Sequence, residues 1–553
     1  MTKHIPTRVV IVITTVLILT SPGFAARTER LLDGWRPTNY RVSLTFNNNL
    51  TEITSAKAEI TIVSLKDSLS NIDLDFGDMP IDAVTLDGHV ASYQRGNGLL
   101  NIKLENRAPR NTTVLVAVTY HGKPKDGLIL SLDKAGKPSA VGDNWPNRVH
   151  HWIPSFDHPS AKATVTFSIT APAQNEVVAN GKLDRVESSP GMTRTWTYTE
   201  TAPIPPYCMI IAAGDFAHLE FPAHGVPSLS YYVPQPDRPA AMQGFGPATP
   251  ALKFFGELVA PYPYEKLALI IGATRFGGME NSSAIVFPSG LLSRKSEDLS
   301  PTFHIPVGLR DVVAHEIAHQ WFGDSVTEST WSDLWLSEGF ADYFAGLFIQ
   351  RHEGEAAFRR YMKQEADTYF DYERKRRSPI HDPDTEDLFK LLNANNYQKG
   401  AWVLHMLRAE LGDEAFFRGI RAYYEAHKNA TATSEDLRAA LETSSGKSLK
   451  DFFARWIYGA GHPDYQLAWR WNAQTSKVEL RLKQLQREPA FPNGLPIEIV
   501  TVAGRQRFLI KPTNKDTTEH FQLEGTPTMV SIDPDNIVLD ESHVVGNAKA
   551  AGR

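Results

Sequence analysis

The feature that most restricts what this chain can be is the run His315-Glu316-Ile317-Ala318-His319, followed nineteen positions later by Glu338. Histidines four residues apart share one face of an α-helix, so both rings can reach a single ion while Glu316 stands beside it. Glu338 lies in Trp335-Leu336-Ser337-Glu338-Gly339-Phe340-Ala341-Asp342, which reads as a second helix joined to the first by the turn-rich segment 323–332. Two packed helices can set a carboxylate opposite the histidine pair. Two neutral imidazoles, one carboxylate and an open fourth position make a catalytic rather than a structural zinc site. The expectation is one Zn2+ per chain, held by His315, His319 and Glu338. Asp342 follows Glu338 by four and shares its helix face. It either accepts a hydrogen bond from the far nitrogen of a metal-bound histidine, setting its tautomer, or is a solvated helix carboxylate.

Hydropathy patterning surrounds this pair of helices with β structure. Alternation at 40–46, 58–62 and 114–120, punctuated by Asn, Asp, Gly and Pro, predicts a sandwich-like β domain over 26–234. Apolar spacing of three and four residues at 309–322, 334–349, 354–372 and 397–411 predicts a mainly helical domain over 235–462. Alternation returns at 477–482 and 507–510, giving a small β domain over 463–541, with 542–553 expected to be a flexible tail. Across 553 residues, 42% hydrophobic and 22% charged content excludes a disordered, collagen-like or coiled-coil chain. The net charge of −6 shows no nucleic-acid footprint. The single cysteine, Cys208, excludes an internal disulfide and a cysteine-rich metal site and reads as a buried, inert thiol.

Residues 1–25 read as a signal peptide. Lys3, His4 and Arg8 precede an apolar run over 9–20, then Ser21-Pro22 breaks the helix before Gly23-Phe24-Ala25. The run is shorter than the ~20 residues that span a bilayer. An exported protein, periplasmic or secreted and without a stable membrane anchor, is expected.

Further motifs fall in order along the chain: Pro154-Ser155-Phe156-Asp157-His158-Pro159 with Lys162-Ala163, Gly277-Gly278-Met279-Glu280-Asn281, Tyr397-Gln398-Lys399-Gly400-Ala401, and Trp456 with Gly461 and Pro463. Together with HEIAHQWFG at 315–323 and WLSEGFA at 335–341, these make the chain resemble the zinc aminopeptidase family of gluzincin metallopeptidases, which includes aminopeptidase N and leukotriene epoxide hydrolase. The resemblance implies a multidomain α+β protein. Its parts would be an N-terminal β-sandwich-like domain, a thermolysin-like helical catalytic domain and a small C-terminal β-sandwich, without the large C-terminal helical domain of many relatives.

The activity implied is removal of N-terminal residues from peptides bearing a free N-terminus. Glu316 would act as general base and Tyr397 would stabilise the oxyanion. Glu280 would bind the substrate ammonium, Gly277 and Gly278 would let the backbone lie against an extended substrate, Met279 would help wall the pocket for the first side chain, and Asn281 would complete the substrate-binding stretch. One departure stands out. Where the family often supplies a second Gln or Glu for the amine, this chain has Trp145, which offers only a cation–π face, with Asp143 two residues earlier as a possible substitute. Zinc-dependent epoxide hydrolysis and a catalytically silent peptide-binding scaffold remain alternatives, and an endopeptidase is disfavoured by the Gly277–Asn281 motif. Oligomeric state is left open.

Overall fold

The computed structural model describes residue 27 and residues 29–545, apart from 190, 222–227, 294 and 513. The expected signal peptide lies outside the described residues. The N-terminal region is β-rich. The three alternating segments become Trp35–Phe46, Ile53–Ser64 and Thr113–Gly122, neighbours in one eight-stranded sheet. In the first of them Tyr40, Val42, Leu44 and Phe46 are buried while Arg41 and Ser43 are exposed, the alternation a pleated strand requires. Its other edge pairs in parallel with Ala163–Pro172.

The expected boundary at 234/235 does not hold as drawn. Phe216–Phe221 and Ser228–Pro234 form one four-stranded sheet with Lys266–Gly272 and Ala284–Pro288. Leu229, Tyr231 and Val233 therefore belong to the hydrophobic core that surrounds the helices. A strand's alternation is the same whichever domain it joins, so pairing, not periodicity, decided its place.

The helical region follows the expected order with adjusted ends. Val307–His319 stops at His319, and Gly323, at φ 119°, turns the chain back with its N–H on the Val326 carbonyl at 2.7 Å. Trp335–Glu353 and Glu355–Glu373 are separated by Gly354 at φ 85°. Residues expected to open a helix at 397 instead form a π-helical turn, Asn395–Lys399, before Gly400–Leu411 begins. Such turns inside helices recur at functional sites.

The C-terminal strands make a four-stranded and a three-stranded sheet, which share a continuous core with the helices. Here the expected tail is corrected too. Glu541–Val545 is a strand, paired in parallel with Asp464–Asn472. Its outward side chains are polar enough to read as a tail, yet its backbone completes a sheet edge.

Candidate active site

The His helix brings His315 and His319 one turn apart with their rings nearly perpendicular, 4.6 Å between centroids. Each imidazole is oriented from behind. Asp342 Oδ1 lies 2.8 Å from His315 Nδ1, and a carboxylate can only accept, so Nδ1 carries the proton there. His319 Nδ1 donates to the Phe322 carbonyl at 3.1 Å, with Ser337 Oγ also at 3.1 Å. With both rings neutral, as metal ligands must be, their Nε2 lone pairs face each other across 2.9 Å. Glu338 Oε2 closes the triangle at 3.4 Å from His315 Nε2 and 3.3 Å from His319 Nε2. Two opposed lone pairs and a carboxylate repel unless a cation sits among them. A tetrahedral zinc with bonds near 2.0–2.2 Å needs its ligands about 3.3 Å apart, so the donor set fits that ion. The structure thus brings His315, His319 and Glu338 together, and Asp342, 8% exposed, lies against His315.

Glu316 points into the same cleft. It is buried, and its Oε2 has no protein partner. Burial pushes its carboxyl up to about 7, against the pull of His315 and His319. Gly278 packs directly on it: a Cβ there would collide with the Glu316 carboxylate. The neighbouring Met279 exchanges backbone hydrogen bonds with Val286 at 2.8 and 2.9 Å, which fixes the motif as an extended edge. Glu280, raised above the ordinary carboxylate range by burial, comes within 4.8 Å of ligating atoms on Glu316 and His319. Its carbonyl accepts from Gln320 Nε2 at 2.7 Å, tying the motif to the end of the His helix.

Tyr397 stacks on His315 at 6.1 Å between centroids and 5° between planes. Burial, then the nearby Glu338, raises its hydroxyl far above the usual tyrosine range, so it remains a proton donor at neutral pH. It reaches this place because two glycines meet behind it. A Cβ on Gly339 would lie 2.8 Å from the Gly400 Cα, and one on Gly400 would lie 2.9 Å from the Gly339 Cα.

Of the remaining sequence candidates, Trp145 and Gly277 line the cleft, and Asp143 and Asn281 do not. Trp145 is 2% exposed and packs edge-on against Phe276, Trp331 and Phe389 at 5.7–5.9 Å. Asp143 cannot replace a missing amine ligand, because Arg148 Nη2 holds it at 2.8 Å and Thr274 Oγ1 donates to it at 2.9 Å. Asn281 is fully buried and turns its Nδ2 back onto the Met279 carbonyl at 3.3 Å. Cys208 is buried, and its thiol, pushed up by burial, donates to Asp324 Oδ1 at 3.2 Å.

Sequence reasoning missed Asp311, Tyr361, Glu365 and Leu392, which share the cleft of about 500 Å³. Asp311 alone carried a signal, sitting one turn before His315 on the same helix face.

A histidine pair and a carboxylate from a neighbouring helix, facing a glutamate in a substrate-sized cleft, define a metallopeptidase centre. Comparison with known proteins names the family. Residues 245–456 match the peptidase family M1 domain and residues 36–208 match the peptidase M1 N-terminal domain. The chain belongs to peptidase family M1, a gluzincin family whose members are zinc enzymes. It is 26% identical over 444 residues to probable aminopeptidase 1 of Saccharolobus solfataricus, an alignment covering 77% of this chain and 53% of that protein. Probable aminopeptidase 2 of Sulfurisphaera tokodaii is 30% identical over 369 residues, 63% of this chain and 45% of that protein. Human glutamyl aminopeptidase is 29% identical over 339 residues, 59% and 35% respectively. The chain spans about half the length of the first two.

Proposed function

We propose that this protein is a zinc aminopeptidase that removes the first residue from peptides with a free N-terminus, and that residues 1–25 direct its export. The observation that carries the reading is the coexistence, in one cleft, of the His315–His319–Glu338 triangle with Glu316 and Glu280. Bound at the triangle, zinc would polarise the scissile carbonyl and acidify a water. The chain's own groups do the rest. Glu316 takes a proton from the attacking water and returns it to the leaving amine, which its unpaired, buried oxygen and upward-shifted acidity suit. Tyr397 donates its hydroxyl to the developing oxyanion. Glu280 neutralises the substrate ammonium in a desolvated corner, and the side-chain-free Gly277 and Gly278 let the substrate backbone lie along the edge that carries them. Trp145 walls the first-residue end of the cleft beside Phe276 and Met279. Among the described residues no helix is long and apolar enough to cross a membrane.

The test compares a short peptide with its N-acetylated twin, using Glu316→Gln as the blank. Cutting of the free amine alone, abolished by the variant, is the expected result. Equal cutting of both peptides would make the protein an endopeptidase. Cutting of neither would remove the reading altogether.

A further inference from the structure

The cleft is chemically lopsided along the His helix. At one end, beside Glu280 and His319, its wall is apolar: Trp145, Phe276, Met279 and Leu392. Toward the start of the helix the wall turns acidic, with Asp311, Asp342 and Glu365. Asp311 lies eight residues before His319, which at 1.5 Å per residue sets it about 12 Å away along the helix axis. A substrate amine at Glu280 and a scissile carbonyl at the histidines thus leave the second residue, some 3.5 Å further along an extended chain, facing this acidic end.

We propose that the acidic end is a subsite for a basic second residue, so that the protein prefers peptides with Lys or Arg immediately after the bond it cuts; the proposal rests on the aminopeptidase reading. Six carboxylates line the cleft, and among the described residues no lysine or arginine does. Asp342 is 8% exposed, and with Oδ1 committed to His315 its Oδ2 is left, like the buried Glu365 Oε2, with no donor other than the neighbouring carboxyl. Buried acceptors left open on a cleft wall are satisfied by a donor arriving with the ligand. Asp311 is partly compensated by Arg310, at 2.6 Å, but Arg310 also pairs with Glu353, so two carboxylates share that one cation. Burial, opposed by Arg310, holds Asp311 up to about 6, and burial together with the neighbouring Asp342 carboxyl raises Glu365 above the carboxylate range. A lysine or arginine head supplies both the charge and the donors. A glutamate there would meet like charge in a poorly solvated place.

The experiment measures kcat/KM of the zinc-loaded full chain on Leu-Lys-Ala and Leu-Glu-Ala, beside leucine p-nitroanilide, which carries no second residue. The expected preference for Lys over Glu is at least 10-fold. In the Asp311→Asn/Glu365→Gln double variant the same ratio, taken within the variant and so independent of how much of it folds, falls at least threefold. Calorimetric binding of the two peptides to Glu316→Gln protein shows the same order without turnover. A ratio near one in the unaltered protein, with leucine p-nitroanilide hydrolysed, overturns the subsite and leaves the aminopeptidase reading standing. A ratio unchanged in the double variant also overturns it. Failure on all three substrates removes the aminopeptidase reading and the subsite together.

Discussion

Gly339 and Gly400 meet backbone to backbone, so closely that a methyl group on either would lie within 2.9 Å of the other's Cα. Gly339 follows the ligand Glu338, and Gly400 closes the π-helical turn that carries Tyr397. One contact therefore sets the spacing between a metal ligand and the proposed oxyanion donor. Gly339→Ala is expected to destabilise the protein by about 1–3 kcal/mol through overpacking. It should also lower kcat in the fraction that remains folded. Denaturant unfolding and active-site titration of the folded protein check both effects.

Asp342 fixes the His315 ring rather than touching substrate at that oxygen. Removing it in Asp342→Ala frees the imidazole to rotate and to change tautomer, and an outer carboxylate of this kind is worth about 10–100-fold in metal affinity. Competition with a zinc chelator reads this directly. An affinity equal to that of the unaltered protein would mean that His315 is held by packing alone.

Tyr397→Phe keeps the ring that stacks on His315 and removes only the hydroxyl. The expected loss is about 10²–10³ in kcat, the usual cost of one oxyanion donor. Zinc content and unfolding midpoint should stay unchanged. A full-speed variant would leave Tyr397 as a wall of the cleft.

Lys162 bridges the N-terminal strands and the loop that follows the His helix. Its Nζ donates to the carbonyls of Asp324 and Ser325 at 2.8 and 2.7 Å and to Thr327 Oγ1 at 2.9 Å. Lys162→Met strands these acceptors, and leaving a buried polar group unsatisfied costs about 1–3 kcal/mol. A drop of that size in unfolding free energy is expected. Release of the N-terminal region at lower denaturant than the helical core would place the strut between them.

What could be read from the chain alone is what depends on near neighbours. The four-residue spacing of His315 and His319 puts both rings on one helix face whatever surrounds them, and the same spacing sets Asp342 beneath Glu338. Two-residue alternation places Tyr40, Val42 and Leu44 on the buried side of a strand before any partner strand is known. Tertiary structure alone decided the pairings between distant groups. Nothing local to Asp143 marks what it faces, and Arg148 claims it. Ser228–Pro234 alternates like the strands before it and still pairs with Lys266–Gly272, and the stretch from Ser542 reads as a polar tail although its first residues belong to the strand Glu541–Val545 that completes a sheet. Asp311 and Glu365 lie 54 positions apart and share one cleft wall only because the helices that carry them pack against Trp335–Glu353. Local spacing fixes a side chain's direction relative to its own backbone; what that side chain meets depends on contacts between segments far apart in sequence, which no local pattern encodes.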